Sequence, residues 1–226
     1  MSRTVLRRPS RSWRFNLIFL SALTTPAQAA EPVRVIETHI VSGEQAAGAQ
    51  TVTHDLRLAL YTFQGARWQR GDVATAVWEA MELLAPCGVA LAGADLRVIE
   101  APREFHVFST PVSRELLRAI KVAKPAVFFV EDTKNDPAYD AETIGRENSA
   151  TRPELVDTVW VVYGARDLPK ALAHELVHLL SDSGEHSSEL GNLMQFESSP
   201  ENTRLSDAQC RRLRERGEAN GLLVRR

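Results

Sequence analysis

Leu168-Pro169-Lys170-Ala171-Leu172-Ala173-His174-Glu175-Leu176-Val177-His178-Leu179-Leu180 carries two histidines four residues apart in a run that reads as a helix. Asp167 stands before it as a cap, and Pro169 is tolerated in a first turn, where its missing N–H costs nothing. Residues i and i+4 share one helix face, so both imidazoles can reach one metal ion. Glu175 is rotated off that face by one residue. It can sit beside the ion without binding it and accept a proton from a water that the ion activates. Leu176, Val177, Leu179 and Leu180 supply the buried side that such a helix needs to be rigid.

Zinc in a catalytic site takes three protein ligands and keeps a fourth position for water. Three of the six histidines lie within thirteen residues, which makes His186 the expected third ligand. The helix should break near Ser181-Asp182-Ser183-Gly184, with Gly184 free to make the sharp turn that brings His186 back. Asp182, Glu185, Glu189 and Glu197 are competing carboxylate ligands. His39, His54 and His106 are far off in sequence and read as ordinary, partly exposed histidines.

From His174 to Met194 the chain resembles the metzincins, zinc endopeptidases with a helical His-Glu-x-x-His, a third His after a tight turn, and a downstream Met-turn. The Met-turn candidate is Gly191-Asn192-Leu193-Met194. The resemblance implies an α+β, zincin-like fold: a mixed twisted sheet packed by helices, an active-site helix, the Met-turn and a C-terminal helix. It implies that His174, His178 and His186 hold Zn²⁺ and that Met194 is an apolar floor beneath it. The turn departs from the family pattern. The third His stands eight residues past His178 rather than six, with Ser181 and Gly184 where the family has Gly and His.

Further out, the chain interleaves strands and helices without a regular repeat, which predicts a mixed sheet with helices packed on it. Strands are expected over 33–41, 96–100 and 105–108, and buried ones over 127–130 and 158–163. Residues 141–147, with Gly145, read as an edge strand. Residues 42–50 and 132–139 read as loops. Asp72 is expected to cap a helix running to Leu84, with Val73, Val77 and Met81 inward, and Ser113 a second one with Leu116, Leu117 and Ile120 inward. Ser206 and Gln209 make a capping box, Leu205 and Cys210 its hydrophobic staple, and Gly217 should close that helix. The staple turns Cys210 inward, where Cys87 could meet it. A disulfide and a pair of buried thiols both satisfy this placement.

At the N-terminus, Arg3, Arg7, Arg8, Arg11 and Arg14 precede a short apolar run, and Ala27-Gln28-Ala29 fits a cleavage pattern. Residues 1–29 therefore read as a signal peptide, and 30–226 as one peptidase domain with room for a prosegment within 30–70. Without the signal, 22 basic residues face 29 acidic ones, a poor balance for nucleic acid or an anionic membrane. The chain of 226 residues, 44% hydrophobic and 25% charged, has an ordinary globular composition. Taken with the resemblance, it reads as an exported, periplasmic or extracellular zinc endopeptidase acting on polypeptide, with Glu175 as general base. The alternatives are a gluzincin-like peptidase with Glu189 or Glu197 as third ligand, and a non-catalytic zinc- or peptide-binding module of the cell envelope.

Overall fold

Runs rich in Val, Phe, Leu and Trp form strands buried on both faces, and such strands must be covered by helices or loops on either side. The computed structural model describes residues 32–41, 51–134, 140–196 and 199–226. The expected signal peptide, the loop over 42–50 and Glu197 lie outside the described residues. In chain order the elements are β1 (Arg34–Ile40), β2 (His54–Phe63), α1 (Arg70–Leu84), β3 (Val89–Glu100), β4 (Val107–Phe108), α2 (Thr110–Ala119), β5 (Ala126–Val130), β6 (Asp132–Thr133), β7 (Ala141–Ile144), β8 (Thr158–Val162), α3 (Leu168–Ser181), α4 (Asp207–Ala219) and β9 (Leu223–Arg225).

The main sheet has the order β1-β3-β2-β5-β8-β7, with β9 added to one end of β2. Strands β3, β2, β5 and β8 run parallel, while β1 and β7 are antiparallel edges. Alternation along β2 divides the core. Leu56, Leu58 and Leu60 join Val127, Phe129, Val159 and Val161 under the apolar faces of α1, α3 and α4. Tyr61 and Phe63 join Phe128, Trp160 and Leu116 of α2 on the opposite face. There Tyr61, Phe128 and Trp160 form a ladder across three strands, with ring centroids 4.7 and 4.2 Å apart. The Trp160 indole N–H donates to Thr158 Oγ1 at 2.9 Å, which leaves its polar edge satisfied inside the core.

The mixed sheet packed by helices agrees with the sequence reading, and several local expectations are corrected. The strand at the sheet's centre, β2, had no counterpart in the sequence reading; it lies within the span that reads as room for a prosegment. Strand β3 starts at Val89 rather than near residue 96. Residues 103–106 form a 3-10 turn before the short β4. Helix α1 is capped by Gln69, and Asp72 sits inside its first turn, where a carboxylate favours the helix dipole. Helix α2 is capped by Ser109 with Pro111 in its first turn, and buried Ser113 accepts the Ser109 N–H through Oγ at 3.3 Å. Gly217 does not close α4. It sits inside the helix because Leu223 packs on it: a Cβ there would stand 2.7 Å from Leu223 Cδ1. The chain turns instead after Asn220, at Gly221.

Helix α4 has only a narrow buried seam, Cys210, Leu213 and Gly217, on a surface otherwise crowded with arginines. A disulfide joins Cys210 to Cys87, which ends the 3-10 turn after α1, and both half-cystines are buried. The link spans 123 residues of sequence. Arg214 Nη1 donates to the Cys87 carbonyl at 2.7 Å, so the contact is both covalent and polar. Closing so long a loop stabilises chiefly by restricting the unfolded chain. Unreduced protein should therefore show no titratable thiol, and reduction should lower the stability by about 2–5 kcal/mol. A denaturant midpoint unmoved by reductant would contradict this.

Candidate metal centre

Helix α3 delivers His174, Glu175 and His178, and the irregular stretch that follows it delivers His186. The helix stops because Asp182 takes the left-handed conformation, φ 47° and ψ 55°. Gly184, expected to make this turn, is not at positive φ. Asp is among the few residues other than Gly that adopt the left-handed form, since its short carboxylate can take backbone hydrogen bonds there. Here Asp182 Oδ1 accepts the Arg146 N–H at 2.9 Å and the Glu147 N–H at 3.3 Å. Those bonds also pull residues 145–147 out of the edge strand, so β7 ends at Ile144 rather than at 147. Past the turn, Ser183 N–H donates to the His178 carbonyl at 3.2 Å, and Ser187 N–H donates to the Met194 carbonyl at 2.7 Å. His186 is held between those two tethers.

The three imidazoles converge. Their ligand atoms all lie within 4.8 Å of one another, and among the described residues no other group of three or more His, Cys, Asp or Glu side chains does so. His174 Nδ1 faces the Leu193 carbonyl at 2.8 Å, and His178 Nδ1 faces the Ser183 carbonyl at 2.6 Å. A carbonyl only accepts, so both Nδ1 atoms carry the proton, and in the neutral rings both Nε2 atoms present lone pairs. Those two Nε2 atoms are 2.9 Å apart. Two lone pairs that close repel unless a cation stands at them. Two imidazole nitrogens on one tetrahedral zinc stand about 3.4 Å apart, so this pair need only open by about half an ångström to take the ion. The donor set therefore fits Zn²⁺.

The electrostatics favour the ligand form of the rings. His178 is 9% exposed, and burial, with His174 beside it, lowers its pKa to about 4. Burial and His174 also lower His186, the most exposed of the three. The Thr143 hydroxyl of β7 lies 2.5 Å from Glu175 Oε2 and 2.9 Å from its carbonyl. Burial pushes the Glu175 carboxyl up, and His174 and the Thr143 hydroxyl hold it back. Met194 is 2% exposed and packs in the core cluster that contains Leu176 and Val177 of α3. Phe196, largely exposed, meets His186 edge-on at 5.2 Å between ring centroids.

The competing carboxylates among the described residues are engaged elsewhere. Asp182 is tied to the two backbone amides above, Glu185 pairs with Arg212 at 2.5 Å, and Glu189 accepts from Asn192 Nδ2 at 3.1 Å. The remaining histidines are distant and separately partnered: His39 with Glu37, His54 with Thr53, and His106 with the Ala101 carbonyl. His54 and His106 are buried rather than partly exposed, because His54 is paired between β3 and β9 and His106 stacks on Phe63 at 4.6 Å between ring centroids. The sequence reading did not foresee Thr143, whose partner lies 32 positions away across a strand–helix contact. It also did not foresee the Asn192 side chain. The available signal was its place inside the Met-turn candidate, residues 191–194.

No protein family matches the sequence, and no curated protein does. Among solved structures, the chain is similar to metalloproteinase-II from Bacteroides fragilis, with a TM-score of 0.51 and 17% sequence identity. The match covers 74% of this chain and 54% of that one, so the chain spans about half of that protein's length. The fold is zincin-like. At this identity the likeness belongs to the architecture, and the chemistry has to be argued from the residues above.

If His186 is the third ligand, His186→Ala should lower zinc affinity by more than about 100-fold, beyond what loss of a supporting partner causes. Asp182→Asn and Glu185→Ala should leave it nearly unchanged. Zinc retained after dialysis against a chelator checks this, with His178→Ala as the positive control.

Proposed function

We propose that the chain is an exported zinc-dependent endopeptidase. The observation that carries the reading is the pair of carbonyl-tethered imidazoles that point their Nε2 lone pairs at each other, with His186 beside them. His174, His178 and His186 would hold the ion. Zinc, when bound, supplies Lewis acidity that polarises a water molecule and the scissile carbonyl.

The chain's own residues do the rest. Glu175 follows His174 on α3 and takes the water's proton, then passes it to the leaving amine. Thr143 orients that carboxylate from the neighbouring strand. Strand β7 is the end of the sheet and packs against α3. Its outer edge can pair with an extended polypeptide and lay the scissile bond along the helix. Met194 closes the apolar side of the site.

Export is supported by the signal-like residues 1–29 and by the Cys87–Cys210 disulfide, which persists in oxidising compartments. No helix among the described residues is long and apolar enough to cross a membrane. A carboxylate third ligand is disfavoured by the separate partners of Asp182, Glu185 and Glu189. A non-catalytic binding module would have no use for a half-buried Glu175 held by a hydroxyl beside the histidines.

Glu175→Gln should keep the fold and the zinc while lowering turnover of an unstructured protein substrate by about 10²–10⁴-fold. Metal content per chain and initial cleavage rates measure the two effects separately. Loss of zinc as severe as in His178→Ala would remove Glu175 from the role of base, and full activity would remove the mechanism.

A further inference from the structure

The Met-turn carbonyl that holds His174 is fixed from α4. Asn192 is 3% exposed and lies next to Leu193, whose carbonyl accepts the His174 Nδ1–H. The side-chain amides of Asn192 and Gln209 bond reciprocally: Asn192 Nδ2 donates to Gln209 Oε1 at 2.9 Å, and Gln209 Nε2 donates to Asn192 Oδ1 at 3.2 Å. The other capacities of Asn192 are also filled. Its Oδ1 accepts the Met194 N–H at 2.9 Å, and its Nδ2 donates to Glu189 Oε2. Gln209 Oε1 accepts in addition the Ser206 N–H at 2.8 Å, the reciprocal half of the capping box. One glutamine thus completes the cap of the C-terminal helix and holds the Asn192 side chain, whose Oδ1 takes the Met194 N–H of the same peptide plane as the Leu193 carbonyl. A capping box alone needs no second amide; Glu or Gln at that position completes it equally well.

We infer that Gln209 and Asn192 are positioning residues for the metal centre, setting the Leu193 carbonyl and through it the direction of His174 Nε2. The inference rests on the metallopeptidase reading for what His174 holds. The hydrogen-bonded chain itself stands apart from that reading. Partners that orient a ligating histidine are worth about 10–100-fold in metal affinity. Residues acting through the backbone carbonyl of a turn should fall in the same range.

Two readouts test it: zinc affinity by chelator competition, and solvent exchange of the His174 Nδ1–H proton in the metal-free protein, followed by nuclear magnetic resonance. Gln209→Ala should weaken zinc binding by about 10–100-fold and speed that exchange. Ser206→Ala weakens the same helix cap without touching Asn192 and should leave both readouts at the wild-type level. Gln209→Glu keeps the capping acceptor for Ser206 N–H but sets a carboxylate oxygen against Asn192 Oδ1, and should show both losses with the cap intact. Asn192→Asp tests the pair without truncation, because it sets oxygen against Gln209 Oε1 and should show both losses. Unchanged readouts in Gln209→Ala or Asn192→Asp overturn the inference, as does an equal loss in Ser206→Ala, which would assign the effect to helix capping. A wild-type chain that binds no zinc removes the proposed function, while the proton-exchange comparison still decides the role of Gln209.

Discussion

Two nitrogen lone pairs 2.9 Å apart repel, and the structure holds them there. Such an arrangement survives only where the surrounding fold costs more to deform than the repulsion returns, or where a cation relieves it. Both conditions shape this molecule. Leu193 and Ser183 spend backbone carbonyls on the two Nδ1 protons, which denies each ring the option of turning its lone pair away. The rings then have one productive response, to share a positive charge. Desolvation of His178 makes a proton a poor choice, because burial already disfavours its imidazolium form. A metal held by several ligands at once is favoured over a proton held by one.

The fold supplies this constraint from both sides of α3. On one side are β8 and β7, antiparallel at the sheet's end, with Thr143 placed against Glu175. On the other is the stretch between α3 and α4, which contains no helix and no regular strand among its described residues. That stretch is held by isolated bridges, Ser187 to Gln195 and Asn192 to Arg204, and by the amide pair of Asn192 and Gln209. Gly191 is needed in it for two reasons: its φ is 75°, and a Cβ there would meet the Arg204 guanidinium at 2.9 Å. The disulfide closes the arrangement by tying α4 to the end of α1, which packs against α3.

How much of this could be read from residue order depends on the range of each interaction. The pairing of His174 and His178 was legible because four residues on a helix is a local geometry. The capping box of Ser206 and Gln209 was legible for the same reason, and both of its hydrogen bonds are present. The inward placement of Cys210 followed from that cap. The Asp182 turn was misassigned to Gly184 because glycine is the usual occupant of a left-handed position. What tipped it to Asp182 was a pair of amides from residues 146 and 147, over thirty positions away. Strand β2 was missed although Leu56, Leu58 and Leu60 alternate plainly. The residues between them, Arg57 and Ala59, gave a mixed signal, and the strand is fixed by neighbours on both sides. Thr143 carries no local mark of its role at all, since its partner is set by how α3 crosses β7.

These ranges also separate what is robust in the site from what is contingent. Glu175 and the position of His178 depend on α3, a helix buried against the sheet by Leu172, Leu176 and Leu180, each 0% exposed, and the tautomer of His178 depends on the Ser183 carbonyl just past its end. His174 depends on α3 for its position but on a loop carbonyl for its tautomer. His186 depends on the loop for its position. Local opening costs least where few apolar contacts and no regular hydrogen-bond ladder resist it. The loop side is therefore where the convergence of the three histidines is first lost, and there the fold concentrates its polar cross-links, with Asn192 saturated in all four of its side-chain hydrogen bonds. The polar network sits where apolar packing is thinnest. It fixes direction, which apolar contacts do poorly because they have no preferred orientation.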